Sequence, residues 1–359
     1  MSRFLNEKYR SLEAYTPGEQ PRDKAYIKLN TNESPFPPSS GVLRALNGDE
    51  VADLRLYPDP ECKVLREKLG ALYGYGKEQV FVSNGSDDIL NFAFMAFFGG
   101  GVLFPDISYG FYKVYAELHG VPYETVPLTE DFRVDARDYC GRNKNIVIAN
   151  PNAPTGLCLT RDEVEAIVKS NPDSVVLIDE AYVDFGGESA MPLVAQYDNL
   201  LVVRTFSKSG SLAGGRLGFA VGSQALIADL ETIKYSTNPY SINRLTLLAG
   251  EKTVDDRDYY RDNCRVIAET RDYTRDALRA LGFYVTDSKA NFLFASSDKI
   301  SGEALYKALR ERGILVRYFG KGRIKNFNRI SIGTRADMDA LLKAVEEILG
   351  GDFLGGNFF

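Results

Sequence analysis

With 359 residues, 44% hydrophobic and 26% charged, the chain is long enough for about two domains and too ordinary in composition for disorder, and its 32 glycines and 15 prolines follow no collagen-like or other repeat. Forty-nine acidic residues against 43 basic ones give a net charge of -6, which excludes a global field favouring nucleic acid or an anionic membrane surface but leaves small anions open to local arginines. The single histidine, His119, excludes a multi-histidine metal site and any Ser/His/Asp triad that does not use it, so no metal is expected.

The N-terminus, MSRFLNEKYRSLEAY, is charged from Arg3 onward and has no apolar signal core. No window approaches the roughly 18 apolar residues of a membrane span. Cys62, Cys140, Cys158 and Cys264 lie far apart without a C-x-x-C pair, as free thiols of a reducing compartment do. A cytoplasmic protein is expected, neither exported nor embedded.

After a proline-rich stretch through Pro38, short apolar runs alternate with helical segments from about 45 to 245. Val80 to Val82 reads as a strand, SNGSD as a turn and Ile89 to Phe98 as a helix; VLFP (strand) and GFYKVYAELHG (helix, with His119 at its end) follow. Then come NIVIAN (strand), TRDEVEAIVKS (helix, opened by a Thr160/Glu163 capping box) and the strands SVVLIDE, LLVVRTF and RLGFAVG. Near-continuous apolar strands between helices predict a mostly parallel sheet covered on both faces. From about 250 the pattern changes to a long charged helix, Asp255 to Leu281, with short strands at NFLFA, ILVRY and RISIG and helices GEALYKALRERG and ADMDALLKAVEEILG. In the last helix Met338, Leu341, Leu342, Val345 and Leu349 share a core-facing stripe, with Gly350 available as C-cap. The expected organisation is an N-terminal arm that joins the small domain (1–44), a large domain (45–245) and a smaller α+β domain (246–359).

Ligands of a parallel sheet bind beyond the carboxyl ends of its strands, and the residues there are polar: Asn84 to Asp87, Tyr109, Asn150 to Gly156, Asp179 to Tyr182, Thr205 to Lys208, and Arg216. Gly85, Ser86 and Asp87 between a strand and a helix offer backbone N–H groups to a phosphate, and Thr205 and Ser207 add hydroxyls. Lys208, in a turn after a buried strand, is placed for a depressed pKa and nucleophilic amine chemistry. Asp179, ending a buried strand, calls for a cationic partner. An amine, a buried carboxylate and a phosphate cup are the parts of a pyridoxal phosphate site.

The succession NGSDDIL, ANPNAPTG, DEAYVDF and TFSKSGSLAGGRLGF closely resembles the fold type I pyridoxal-phosphate aminotransferases, an α/β fold whose large domain holds a mostly parallel seven-stranded sheet beside a smaller α+β domain. Tyr15 to Gly18, LNTNESP, Leu56 to Asp59, Asn238 to Tyr240 with Asn243, Asn291-Phe292 and RISIGTRADM narrow the likeness to the histidinol-phosphate aminotransferases, from about residue 10 to 348. The resemblance implies that Lys208 bonds pyridoxal 5'-phosphate and later moves the proton, that Asp179 faces the pyridine nitrogen, that Tyr182 bonds the 3'-oxygen and that Tyr109 stacks on the ring. It gives the phosphate to Gly85, Ser86, Asp87, Thr205, Ser207 and Arg216, with Tyr57 reaching the partner subunit's cofactor, which makes the active unit a homodimer with shared sites. Arg329 is implied for a substrate carboxylate and Arg317 for a substrate phosphate, with Tyr15, Asn32 and Asn291 in the same pocket and Lys321, Arg323 and Lys325 in a solvated loop.

Two departures stand out. Where the family has an asparagine that donates to the 3'-oxygen this chain has Ala153, and Asn152 is a doubtful substitute because neighbours on an extended segment point oppositely. Ser209, Gly210 and Gly215 replace bulkier apolar residues around the lysine. The implied reaction joins a small-molecule amino donor and a 2-oxo acid, histidinol phosphate and 2-oxoglutarate. An aromatic or broad-specificity aminotransferase, a threonine-phosphate decarboxylase and a cofactor-free or sugar-phosphate binder on the same sheet are the alternatives.

Overall fold

The computed structural model describes residues 6–13 and 15–351, so the Phe-rich tail from 352 lies outside it. In chain order the strands are β1 (Ile27–Lys28), β2 (Val80–Ser83), β3 (Val102–Pro105), β4 (Tyr123–Val126), β5 (Asn145–Ala149), β6 (Val176–Asp179), β7 (Leu200–Thr205), β8 (Gly218–Val221), β9 (Tyr284–Val285), β10 (Phe292–Ser296), β11 (Ile314–Leu315), β12 (Arg317–Tyr318) and β13 (Asn328–Ser331). The helices are α1 (Ser40–Ala45), α2 (Gly48–Ala52), α3 (Lys63–Tyr73), α4 (Ser86–Ala96), α5 (Phe111–His119), α6 (Arg161–Ser170), α7 (Gln224–Thr237), α8 (Arg244–Asp255), α9 (Arg257–Ala280), α10 (Gly302–Glu311) and α11 (Arg335–Gly351). None is long and apolar enough to cross a membrane among the described residues.

Seven strands build the large sheet in the order β2-β8-β7-β6-β5-β3-β4. Pattern alone marks six of them; the seventh, β4, is an edge strand whose Tyr-Glu-Thr run is exposed, so its pairing with β3 rather than any apolar signature makes it a strand. The strand period of two is plain in the centre. Ile146, Ile148, Val176, Ile178, Leu200 and Val202 pack on one face with α3, α6 and α8, while Val147, Leu177, Leu201 and Val203 pack on the other with α4, α5 and α7. The first core reaches past residue 245 to include Leu247 and Ala249 of α8.

Only β8 runs against its neighbours, antiparallel to both β7 and β2. The end of β2, the ends of β5, β6 and β7 and the beginning of β8 therefore lie on one side of the sheet, and the register Thr205↔Gly218↔Ser83 fixes the three meeting points. Residues far apart in sequence converge there.

The capping box at α6 is formed in both directions, Glu163 N–H to the Thr160 hydroxyl and Thr160 N–H to the Glu163 carboxylate at 2.7 Å. The charged helix occupies Arg257–Ala280. The stripe of α11 behaves as its period requires, with Met338, Leu341, Leu342 and Val345 buried in a second core. Gly350 does not cap that helix, which continues to Gly351.

A second sheet, β12-β13-β10-β9, is antiparallel throughout, and β1 joins β11 in a separate parallel pair, so the N-terminal arm is tied to the C-terminal unit. In it Arg317 and Arg329 are direct cross-strand partners, which puts both guanidiniums on one face. Leu29 from the arm packs in the same core as Leu293 and Ile330.

Candidate active site

Asp179 is the last residue of β6 and is buried. Its carboxylate accepts from the Tyr112 hydroxyl (2.9 Å) and the Ala181 N–H (3.1 Å), and burial pushes its pKa up to about 6. No cation reaches it among the described residues, so none of their side chains is the partner expected from the sequence. Across the same cavity Lys208 follows β7, donates to the Thr31 carbonyl at 3.1 Å and stands 5.8 Å from the Tyr182 ring centre. Burial first, and the charge of Arg329 second, bring its amine down to about 8. Tyr182 is buried and accepts from the Asn32 amide at 3.1 Å.

The first turn of α4 closes one end of this cavity. Gly85, at φ 88, leads into Ser86 and Asp87, whose N–H groups are free of helix partners as in every first turn. A Cβ on Gly85 would lie 2.9 Å from the Arg216 guanidinium, and one on Gly218 would strike the Ser86 nitrogen and come within 2.5 Å of the Gly85 carbonyl carbon. Backbone approaches backbone here because both positions lack a side chain. Arg216 itself takes φ 54, and its guanidinium donates to Ser207 (3.3 Å) and to the Asp87 carboxylate (3.0 Å). The other Asp87 oxygen accepts from Tyr109 at 2.7 Å. The Asp87 side chain thus braces both the arginine and the tyrosine, in addition to the backbone role expected of it.

The resulting cavity, about 90 Å³, is lined by Asp179, Tyr182, Thr205, Ser207, Lys208 and Arg216 among others. It opens through Tyr109, Ala153, Tyr182 and Lys208 into an outer cleft of about 590 Å³. Arg317, Arg329 and Tyr15, whose ring is tilted against that of Phe111 with centres 4.2 Å apart, wall that cleft. Arg317 donates to the carbonyls of Thr16 (3.0 Å) and Pro17 (3.1 Å), while Arg329 donates to that of Asn30 (3.0 Å) and leaves its buried Nε without a partner among the described residues.

Several expectations need correcting. The Asn152 side chain faces away from the cavity, accepting from Ser108 at 2.8 Å and donating to the Ile107 carbonyl at 2.9 Å, so it holds the loop together and Ala153 presents a methyl in the asparagine's place. Asn291 is fully buried and lines neither cavity; its amide donates to the Asn32 carbonyl at 3.0 Å. Lys321, Arg323 and Lys325 are exposed, as a solvated loop requires, although Arg323 also donates to the carbonyls of Leu128 (2.8 Å) and Thr129 (2.6 Å) and Lys321 lines the outer cleft. Tyr57 is no such correction: its side chain, 80% exposed and stacked on Tyr240, lies outside both cavities of its own chain, and the cofactor expected for it is the partner subunit's. Sequence reading missed Tyr112, one helical turn after Tyr109, and Ser331, two residues after Arg329 on β13; only their spacing from those residues could have marked them. No group of three His, Cys, Asp or Glu able to hold a metal occurs among the described residues.

An uncompensated buried carboxylate, a depressed amine across from it and a backbone cradle that a methyl group would fill suit pyridoxal 5'-phosphate in its three charged parts: ring nitrogen, aldehyde and phosphate. Fold and site together define a fold type I pyridoxal-phosphate enzyme. The model of the class I and II aminotransferases matches residues 24–345. A histidinol-phosphate aminotransferase of Brachyspira hyodysenteriae is 50% identical over 97% of this chain and 99% of its own length. The chain belongs to that family and is a pyridoxal-phosphate-dependent aminotransferase. In structure it is similar to the histidinol-phosphate aminotransferase of Sinorhizobium meliloti in complex with pyridoxal-5'-phosphate (TM-score 0.87, 24% identity, covering 98% of this chain and 99% of that one). It is also similar to the L-threonine-O-3-phosphate decarboxylase of Porphyromonas gingivalis (TM-score 0.80, 22% identity, 90% and 99% covered), a likeness of fold alone.

Proposed function

We propose that the chain transfers the amino group of histidinol phosphate to 2-oxoglutarate, giving imidazole acetol phosphate and glutamate, and works in the opposite sense during histidine biosynthesis. The observation that carries this reading is the cross-strand pair Arg317 and Arg329 above Lys208: one cleft offers two guanidiniums to anionic substrates, and Arg329 keeps an unpartnered buried N–H. A planar guanidinium suits a carboxylate and a phosphate alike, so one pocket serves both substrates in turn.

Pyridoxal 5'-phosphate, when bound, supplies an aldehyde that captures the amine and a ring that takes up the electron pair released at the substrate's Cα. Asp179 holds the proton on the ring nitrogen. Lys208, neutral in a useful fraction near pH 8, takes the proton from Cα and returns it to C4'. Ser86 and Asp87 through N–H groups, Thr205 and Ser207 through hydroxyls, and Arg216 through its guanidinium bind the phosphate, with Gly85 shaping the turn. Tyr109 covers the ring and Tyr182 donates to the 3'-oxygen. In the outer cleft Arg329 takes the carboxylate of glutamate and, in its turn, the phosphate ester of histidinol phosphate, with Arg317 helping to hold the phosphate and Tyr15 against the apolar part. The exposure of Tyr57 suits a residue that completes the partner subunit's site in a homodimer. Four free cysteines fit a cytoplasmic enzyme.

A charge-assisted hydrogen bond to an anion contributes roughly 1.5 to 3 kcal/mol, so Arg329→Ala is expected to lower kcat/KM about ten- to more than a hundredfold for glutamate and histidinol phosphate alike. Wild-type protein that handles phenylalanine or tyrosine better than histidinol phosphate, or that releases carbon dioxide from threonine phosphate, overturns the substrate assignment.

A further inference from the structure

Asn32, matched to the substrate pocket by motif, does line the outer cleft, but its side-chain amide is taken up by Ser331 and Tyr182. It sits at φ 58, 1% exposed, and its backbone carbonyl is held by Asn291. Its N–H donates to Ser331 Oγ at 2.8 Å, so the serine proton is directed onward to Asn32 Oδ1 at 2.7 Å. With Oδ1 fixed as the acceptor, the amide must turn Nδ2 toward Tyr182, 3.1 Å from the phenol oxygen. Tyr182 therefore receives a hydrogen bond from behind, and no acceptor among the described residues takes its own proton. The backbone N–H of Asn32 thus sets the direction of every later bond in the series.

Resting on the reading of Tyr182 given above, we infer that Asn32 is a positioning residue: it orients the Tyr182 hydroxyl so that the phenol presents its proton to the 3'-oxygen of pyridoxal 5'-phosphate, supporting the contact that Ala153 cannot make. Ser331 lies two residues from Arg329, so the same strand carries the anion-binding guanidinium and the anchor of this series. The charged groups around the phenol are Lys208, Arg329, Asp179 and Asp87.

The test is Asn32→Asp in the cofactor-loaded enzyme. Aspartate is isosteric, tolerates the left-handed backbone and still accepts from Ser331, but it cannot donate to Tyr182 and takes the phenol's proton instead. A donor at the 3'-oxygen competes for the proton shared between that oxygen and the Lys208 nitrogen. Losing it should raise the pH midpoint of the visible absorption band by about one unit, a tenfold change in the equilibrium, and lower kcat about tenfold with little change in KM. Tyr182→Phe should raise the midpoint at least as far, and adding Asn32→Asp to it should add only a small further rise from the new charge. Ser331→Ala, which frees the amide to turn, should shift the midpoint the same way by less. Equal shifts from Asn32→Asp with and without Tyr182→Phe, or no shift from it in the presence of Tyr182, overturn the inference. An unmoved midpoint in Tyr182→Phe alone overturns the reading of Tyr182 beneath it.

Discussion

Covalent capture of pyridoxal 5'-phosphate by cofactor-free protein requires Lys208 as the neutral amine, so its rate reports the protonation of that one group. Burial and then Arg329 hold this amine at about 8, against 10.5 for an exposed lysine. At about pH 7.5 roughly a quarter of the molecules then carry the neutral form, against about one in a thousand for an ordinary lysine, a gain of about two hundredfold in reactive species. Cofactor-free protein mixed with pyridoxal 5'-phosphate in a stopped flow between about pH 6 and about pH 10 should form the visible band at a rate that climbs about tenfold per unit below 8 and levels above it. Arg329→Gln removes the second cause, so its profile should move to higher pH and reach the same plateau. A wild-type midpoint above about 9.5, or a variant profile displaced to lower pH, refutes the view that desolvation and a neighbouring guanidinium set the amine's reactivity.

Gly218→Ala forces a methyl group against Ser86 and Gly85, so equilibrium dialysis should show cofactor affinity lowered at least about tenfold in a folded protein; unchanged affinity would remove the cradle from the site. In cofactor-free protein Asp179 keeps its proton up to about 6 when folded but loses it near 3.8 when unfolded, so the folded state binds more protons between those values. That contribution is full at lower pH and is lost as pH rises through about 6; urea midpoints across the window should fall less steeply in Asp179→Asn than in wild type, and identical slopes would contradict the raised pKa. For the proposed dimer, mixing Lys208→Ala with Tyr57→Phe subunits should give heterodimers with one site free of both changes and activity above either parent. No recovery after verified subunit exchange counts against a shared site.

Much of this architecture is local in origin. The near-continuous apolar runs in NIVIAN, SVVLIDE and LLVVRTF are a property of consecutive side chains, and they mark central strands buried on both faces whatever lies beside them. The Thr160/Glu163 box and the stripe from Met338 to Val345 are equally local, set by the geometry of one helix. The chemistry-bearing residues could be picked out because strand ends in a parallel sheet are where ligands sit, so type and position along the chain sufficed for Lys208, Asp179 and Arg216.

What sequence left open depends on register and on donors contributed from afar. Strand β4 exists because β3 offers it an edge, and Gly350 stays helical because the helix around it does not end there. The direction of a polar side chain was the least accessible feature. Asn152 and Asn32 are both asparagines in pocket motifs, yet Ser108 and the Ile107 carbonyl turn one away from the cavity, while Ser331, 299 residues distant, turns the other's amide toward Tyr182. Residue type states how many hydrogen bonds a group can make; which neighbour claims each of them is settled only when segments distant in sequence are brought together by the fold.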